Sequence, residues 1–148
     1  MRKRKAQVSI EYLFVIGLAM AIIIPGSMLF YNYSRESNEQ LVSSQINRIG
    51  KNIINNAEEM YVIGKHSRIT LDANLPETVE SIFTTADGSE LVITYNTPRG
   101  LTESVFFSDV KINGSAAGGN ISSQFHSGMM QIKIESKGDH ILIGEKID

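Results

Sequence analysis

The chain has 148 residues and a mass of 16.4 kDa; it is 42% hydrophobic and 20% charged, with a net charge of −2 and a mean hydropathy of −0.07. The absence of cysteine excludes a disulfide scaffold, a thiolate metal site and a cysteine nucleophile. The slightly negative charge gives no support for broad binding to nucleic-acid phosphates. These averages conceal a partition, because the fourteen Lys/Arg and the sixteen Asp/Glu all lie outside residues 12–34.

Arg2, Lys3, Arg4 and Lys5 place four cations at the start, Glu11 follows alone, and the charge-free run begins at Tyr12. About 20 helical residues cross the hydrocarbon core of a bilayer, so residues 13–31 suffice for one span. The basic flank predicts a cytoplasmic N-terminus, with everything after Arg35 outside. A discarded secretory signal has an apolar core of about 7–15 residues ending at a small-x-small site. This run is longer and continues through Met28-Leu29-Phe30-Tyr31. A simple anchor fits the length but leaves Glu11 unexplained, since a carboxylate at the edge of an apolar span is costly unless paired.

The string Lys5-Ala6-Gln7-Val8-Ser9-Ile10-Glu11-Tyr12-Leu13 resembles the class III signal peptide of archaeal type IV pilin precursors. In that pattern a short basic leader precedes Gln, then x-Ser-x-Glu and an apolar stretch. Gln7, Ser9 and Glu11 occupy the three polar positions, behind Lys5. The resemblance covers roughly the first 30 residues. Val15 departs from the Leu often found four residues after the Glu. Gln7 points to the archaeal branch, since bacterial type IV pilins usually begin their mature chain with Phe and archaellins with Gly.

The resemblance implies cleavage between Ala6 and Gln7 by a prepilin peptidase, with the basic leader removed and the apolar helix retained. It implies a structural subunit of a surface filament for attachment, a homopolymer joined through its N-terminal helices. The further partners implied are the peptidase, a pilus assembly platform and, before assembly, the membrane. Glu11 is then the candidate register residue, pairing in a dry helix bundle with the free amine at Gln7 of a neighbour; recognition by the peptidase is the rival role. Loss of residues 1–6 leaves ten Lys/Arg against sixteen Asp/Glu, so the mature chain would carry −6.

Beyond the apolar run, Val42, Ile46, Ile49, Ile53, Ala57 and Met60 recur at helical spacing, with Asn47, Arg48, Lys51 and Glu59 off the stripe. Gly64 is a candidate helix terminator, with Lys65 and His66 beside the last carbonyls. The periodicity therefore predicts a helix over 7–63, hydrophobic all round at first and amphipathic later. Pro25-Gly26 predicts a kink or a short melted turn, because proline removes the bond to Ala21 and crowds its carbonyl.

From His66 onward the pattern alternates. Residues 81–85 and 91–95 read as a hairpin around Asp87-Gly88. Residues 131–135 turn at Lys137-Gly138-Asp139 into 140–144, and 69–71, 105–107 and 110–112 are further strand candidates. The expected fold is α+β: a long N-terminal helix packed on a small, mostly antiparallel sheet or sandwich head, pilin-like in outline. The expected organisation is a leader over 1–6, the helix over 7–63 and an extracellular β-rich head over 64–148.

Catalytic signatures are not found. Glu59 occupies the position where a phosphate-binding loop ending in Gly64-Lys65 needs its first glycine. Gly114-Ser115-Ala116-Ala117-Gly118 has the wrong spacing for a nucleophile elbow. His66, His126 and His140 form no metal-ligand motif, and Asp87-Gly88-Ser89-Glu90 reads as a turn more readily than as a calcium-loop fragment. No enzyme activity, cofactor or metal is expected. Asn32, Asn113 and Asn120 head N-glycosylation sequons. The last two flank a Gly/Ala/Ser stretch that reads as an exposed flexible loop and would suit a glycoprotein surface. The alternative function is a membrane-tethered extracellular binding module that does not polymerise.

Overall fold

A computed structural model describes the backbone of residues 2–146 and the side chains of residues 9–146. One helix, α1 (Arg2–Ile63), precedes seven strands: β1 (Arg68–Leu75), β2 (Val79–Thr84), β3 (Glu90–Thr97), β4 (Gly100–Phe107), β5 (Ile112–Gly114), β6 (Gly128–Ser136) and β7 (Ile141–Glu145). The fold is α+β. The chain divides into two compact units, residues 1–40 and residues 41–148. The boundary falls inside α1, so the last part of the helix belongs with the strands.

In the first unit α1 runs unbroken through Pro25, so of the kink or melted turn expected there the melted turn does not form. Proline removes a single helical bond, the one to Ala21. Two residues on, the Ser27 hydroxyl donates to the Ile23 carbonyl at 2.8 Å, adding a polar contact to the same stretch of helix. The apolar side chains from Ile10 to Tyr33 are exposed on every side. By length and composition this segment is able to cross a membrane.

In the second unit the helix buries one stripe. Ile46, Ile53, Ala57 and Met60 are enclosed, with Val42 and Ile49 partly covered, as the periodicity predicts. Ile54 joins them. Fully burying such a side chain contributes about 1.5–3 kcal/mol, so this stripe is a principal tie between helix and sheets. Gly50 completes the contact: a Cβ built there would stand 2.3 Å from the Phe106 ring, so that ring packs directly on the helix backbone and a larger residue would have to displace it. The helix ends at Ile63 with Gly64 at φ +109°, its N–H bonded to the Met60 carbonyl at 3.2 Å. The Ser67 hydroxyl is within hydrogen-bond distance of the carbonyls of both Met60 and Gly64, serving groups that a helix end leaves without partners.

The strands form two sheets. One has the order β1-β6-β7-β5, antiparallel except for the β5–β7 pair; the other is the antiparallel meander β2-β3-β4. In β6, Met130, Ile132 and Ile134 point inward and alternate with Met129, Gln131, Lys133 and Glu135 on the outside, the period-2 pattern of a half-buried strand. Central β3 is different: Leu91 through Tyr95 are all buried. Leu91, Ile93 and Tyr95 join the common core, while Val92 lies between Phe83 and Val105 in the cross-strand register. Inward residues of both sheets and of α1 from Ile46 to Met60 form one apolar cluster.

The hairpin around Asp87-Gly88, the β6–β7 turn and the strands containing 69–71 and 105–107 match the sequence expectation. The candidate at 110–112 is displaced, because β5 begins at Ile112. The Ser108 hydroxyl donates to the Val110 carbonyl at 2.8 Å and accepts its N–H at 3.3 Å, folding 108–110 into a bend. Pairing resumes where Ile112 N–H reaches the Gly88 carbonyl at 2.9 Å.

Candidate functional site

The chemistry-bearing features fall into three groups: the N-terminal helix motif, the sequon loop, and a set of charged clusters on the sheets. In the motif, Ser9 and Glu11 lie exposed on α1, at the start of the exposed apolar surface. The side chains of Lys5, Ala6 and Gln7, which carry the processing expectation, lie outside the described residues. At the other end of the apolar run the Arg35 guanidinium stands over the Tyr31 ring, 5.6 Å from its centroid. An aromatic capped by a cation is suited to the boundary between an apolar and an aqueous phase. Within residues 9–40 the defining property is an apolar helix surface exposed along its length.

The sequon loop is better anchored than its composition implies. Gly114 N–H donates to the Thr84 hydroxyl at 2.9 Å, and that hydroxyl lies 3.2 Å from the Gly119 carbonyl. Gly119 has φ +80°, and a Cβ there would meet the Thr84 carbonyl oxygen at 2.3 Å. Ser115 N–H bonds the Ile143 carbonyl and Ala116 N–H the Asn120 carbonyl, both at 2.8 Å. The expected flexible linker is therefore a short strand followed by a 3-10 turn at Ala117–Gly119, held against β2. Its glycines serve close approach. Asn113 is exposed on β5; Asn120 is half-buried and donates to the Ala117 carbonyl at 3.0 Å. Of the two loop sequons, Asn113 presents the more accessible amide. Asn32 lies on the exposed apolar helix.

Glu145, at the end of β7, binds two side chains from the segment before β6. The Ser122 hydroxyl donates to its Oε2, and His126 Nε2 lies 2.9 Å from its Oε1. His126 Nδ1 lies 3.1 Å from the Ser127 carbonyl oxygen. Both ring nitrogens thus face acceptors, which only the imidazolium satisfies at once. The Ser127 carbonyl and the Glu145 carboxylate accordingly hold the His126 pKa above its usual value. Donation from Ser122, then from His126, holds Glu145 below the usual carboxylate range.

This constellation has the residue types of a hydrolytic triad in the wrong order. The carboxylate stands between serine and histidine, so the imidazole has no contact through which to take the serine proton. Its chemistry is that of a latch fastening residues 122–126 to β7. The three residues are separated by up to 23 positions, and no local pattern in the sequence marks them.

On the outer face of the β1-β6-β7-β5 sheet, Glu135 accepts from Lys133 at 2.6 Å and from Lys137 at 2.5 Å. The two ammonium groups lower its pKa to about 2. Asp87 is used within its own turn: its carboxylate accepts the Thr85 hydroxyl at 2.6 Å and the Ser89 hydroxyl at 2.7 Å, which brings its pKa to about 2. His140 Nδ1 lies 2.8 Å from Asp139 Oδ1, and His66 occupies the turn after α1 with φ +73°. The three histidines are not brought together with one another. Among the described residues no group of three His, Asp or Glu is placed to hold a metal ion. An open cleft of about 220 Å³ separates α1 from edge strand β1, lined in part by Gln45, Arg48, Asn52 and Asp72. Gln45 closes one end by donating to the Asn74 carbonyl at 2.8 Å.

Compared with protein-family profiles, with curated proteins and with solved structures, the chain finds no match.

Proposed function

We propose that this protein is the precursor of an archaeal type IV pilin, a structural filament subunit stored in the membrane and assembled through α1. The observation that carries this reading is the division of one continuous helix into a segment exposed and apolar on all sides and a segment that buries a single stripe in a folded head. The first segment is soluble only in lipid or among other helices. A helix that must leave lipid and still stay dry needs copies of itself. The Gln7-x-Ser9-x-Glu11 string behind Lys5 supplies the processing step.

Cleavage between Ala6 and Gln7 removes four cations that would be intolerable inside a helical core. It also creates an amine able to neutralise Glu11 of a neighbouring copy. A buried ion pair need not add net stability, yet a register one step out leaves both charges unpaired, so the pair fixes axial position. The head then lies outside the cell, where the anchored loop and its Asn113 sequon face solvent as a glycosylated or adhesive surface.

Electron microscopy of sheared cell-surface material tests the reading. Filaments containing this chain are expected, and Glu11→Gln is expected to be processed normally but to assemble poorly. A Glu11→Gln chain that assembles as wild type removes the register role. A chain that remains a membrane-tethered monomer, with no filaments, favours a binding module.

A further inference from the structure

The stretches of chain that build the two sheets carry opposite net charge. Residues 76–109, which build β2, β3 and β4, hold six acids (Glu77, Glu80, Asp87, Glu90, Glu103 and Asp109) and one base, Arg99, a net −5. The stretches that build the other sheet, residues 65–75 and 110–146, hold six Lys/Arg against four Asp/Glu, a net +2. Both sheets turn their inner faces to one apolar cluster. Their outer faces therefore point away from each other.

Each outer face also carries an unprotected apolar residue beside its charge. On edge strand β4 the outward row is Leu101, Glu103, Val105 and Phe107, with Phe107 74% exposed. On β6 the outward row is Met129, Gln131, Lys133 and Glu135, with Met129 70% exposed. Strand residues rise about 3.3 Å each, so Phe107 to Glu103 and Met129 to Lys133 are both separations of about 13 Å. A contact that seats Phe107 on Met129, a favourable sulfur–aromatic pair, can bring Glu103 to Lys133 in the same register.

We infer that the outer face of the β2-β3-β4 sheet docks on the outer face of the β1-β6-β7-β5 sheet of a second copy of this chain. A self-contact of the β2-β3-β4 face would set Glu90 and Glu103 against their own copies, which charge repulsion opposes. The unlike pairing brings Glu103 toward Lys133 and covers both exposed apolar residues. Because the two faces lie on opposite sides of one head, the contact is heterologous and can repeat from copy to copy. The inference deepens the filament reading and rests on it for the second copy, adding a head-to-head interface to the one proposed for α1.

The cysteine-free chain allows a direct test in the full-length protein. Phe107→Cys and Met129→Cys, both at exposed positions, are co-expressed as separately tagged chains and treated with a short thiol–thiol cross-linker. The expected product is a mixed 107–129 dimer, and a ladder of multimers from a chain carrying both cysteines. Glu103→Lys should lower the mixed product about tenfold, the loss expected when like charges are juxtaposed at an interface, and Lys133→Glu in the partner should restore it. Predominant 107–107 or 129–129 dimers, or no cross-linking, overturn the docking inference. Filaments in the same preparation without the 107–129 product leave the filament reading standing while the docking surface fails; absence of filaments from wild-type cells counts against the filament reading itself.

Discussion

Residues 12–34 and residues 41–63 lie on the same helix and share a taste for isoleucine, leucine and methionine, yet they solve opposite problems. In the second stretch Ile46, Ile53, Ala57 and Met60 return at helical spacing and disappear into the head, while Lys51, Asn55 and Glu59 stay in water. In the first, Leu13, Leu18, Ile22 and Phe30 are all exposed, with no polar face to balance them. The difference shows that apolar content alone does not specify a partner. Arrangement around the helix does: a stripe asks for one surface, and a full circumference asks for a medium. Lipid and a bundle of other helices are both such media.

That contrast can be broken from either side. The largest loss of head stability is expected from Ile53→Ala, which removes a fully buried side chain and leaves a cavity; about 2–5 kcal/mol should disappear in chemical denaturation of the detergent-solubilised chain. The matching change in the other stretch, Leu18→Arg, should leave head unfolding unaltered. It should instead oppose membrane insertion by about 2.5–3.5 kcal/mol, read as loss from the membrane fraction. If Leu18→Arg destabilises the head, or Ile53→Ala does not, the separation of roles along α1 is wrong.

Smaller effects sharpen the picture of the head. Gly50→Ala would gain about 1 kcal/mol in helix propensity at an open site. Here the new methyl meets the Phe106 ring, so a net loss of about 1–3 kcal/mol is expected in the same denaturation assay. Thr84→Val removes the hydroxyl that joins Gly114 to Gly119 and should lower head stability by about 1–3 kcal/mol, with faster amide exchange at Gly114.

The smallest effect is a pH dependence. The folded pKa of His126 is raised above 6.5 by the Ser127 carbonyl and the Glu145 carboxylate. Its contribution is therefore complete below 6.5 and is lost as pH rises through the folded value. His126→Gln should flatten that part of the stability profile and reduce the share of the acid side that comes from Glu145, while the share set by Glu135 stays.

Much of this architecture is written in local pattern. The buried stripe, the helix end at Gly64 and the Asp87-Gly88 hairpin depend on residues within one or two turns of each other, so period and turn chemistry were enough to locate them. Three features were not legible for a common reason. β5 starts at Ile112 because its parallel partner is Ile141 and a Ser108–Val110 bend intervenes. The glycines of the 113–120 loop serve contacts with Thr84, some 30 residues away, and composition cannot tell close approach from flexibility. Ser122, His126 and Glu145 meet only when β7 is laid beside β6. The N-terminal motif is the reverse case: Gln7, Ser9 and Glu11 are legible as a string, while the role proposed for them rests on a second protein.

The central claim is that the apolar stretch of α1 is first a membrane segment and then an assembly element, and that removal of the basic leader separates the two states. Mass spectrometry of the N-terminus of the chain recovered from the cell surface tests it most directly. The account predicts a mature chain beginning at Gln7 and lacking Met1 to Ala6. A surface chain that retains Arg2 to Lys5, or that begins beyond Tyr33 with the apolar segment cut away, would contradict it.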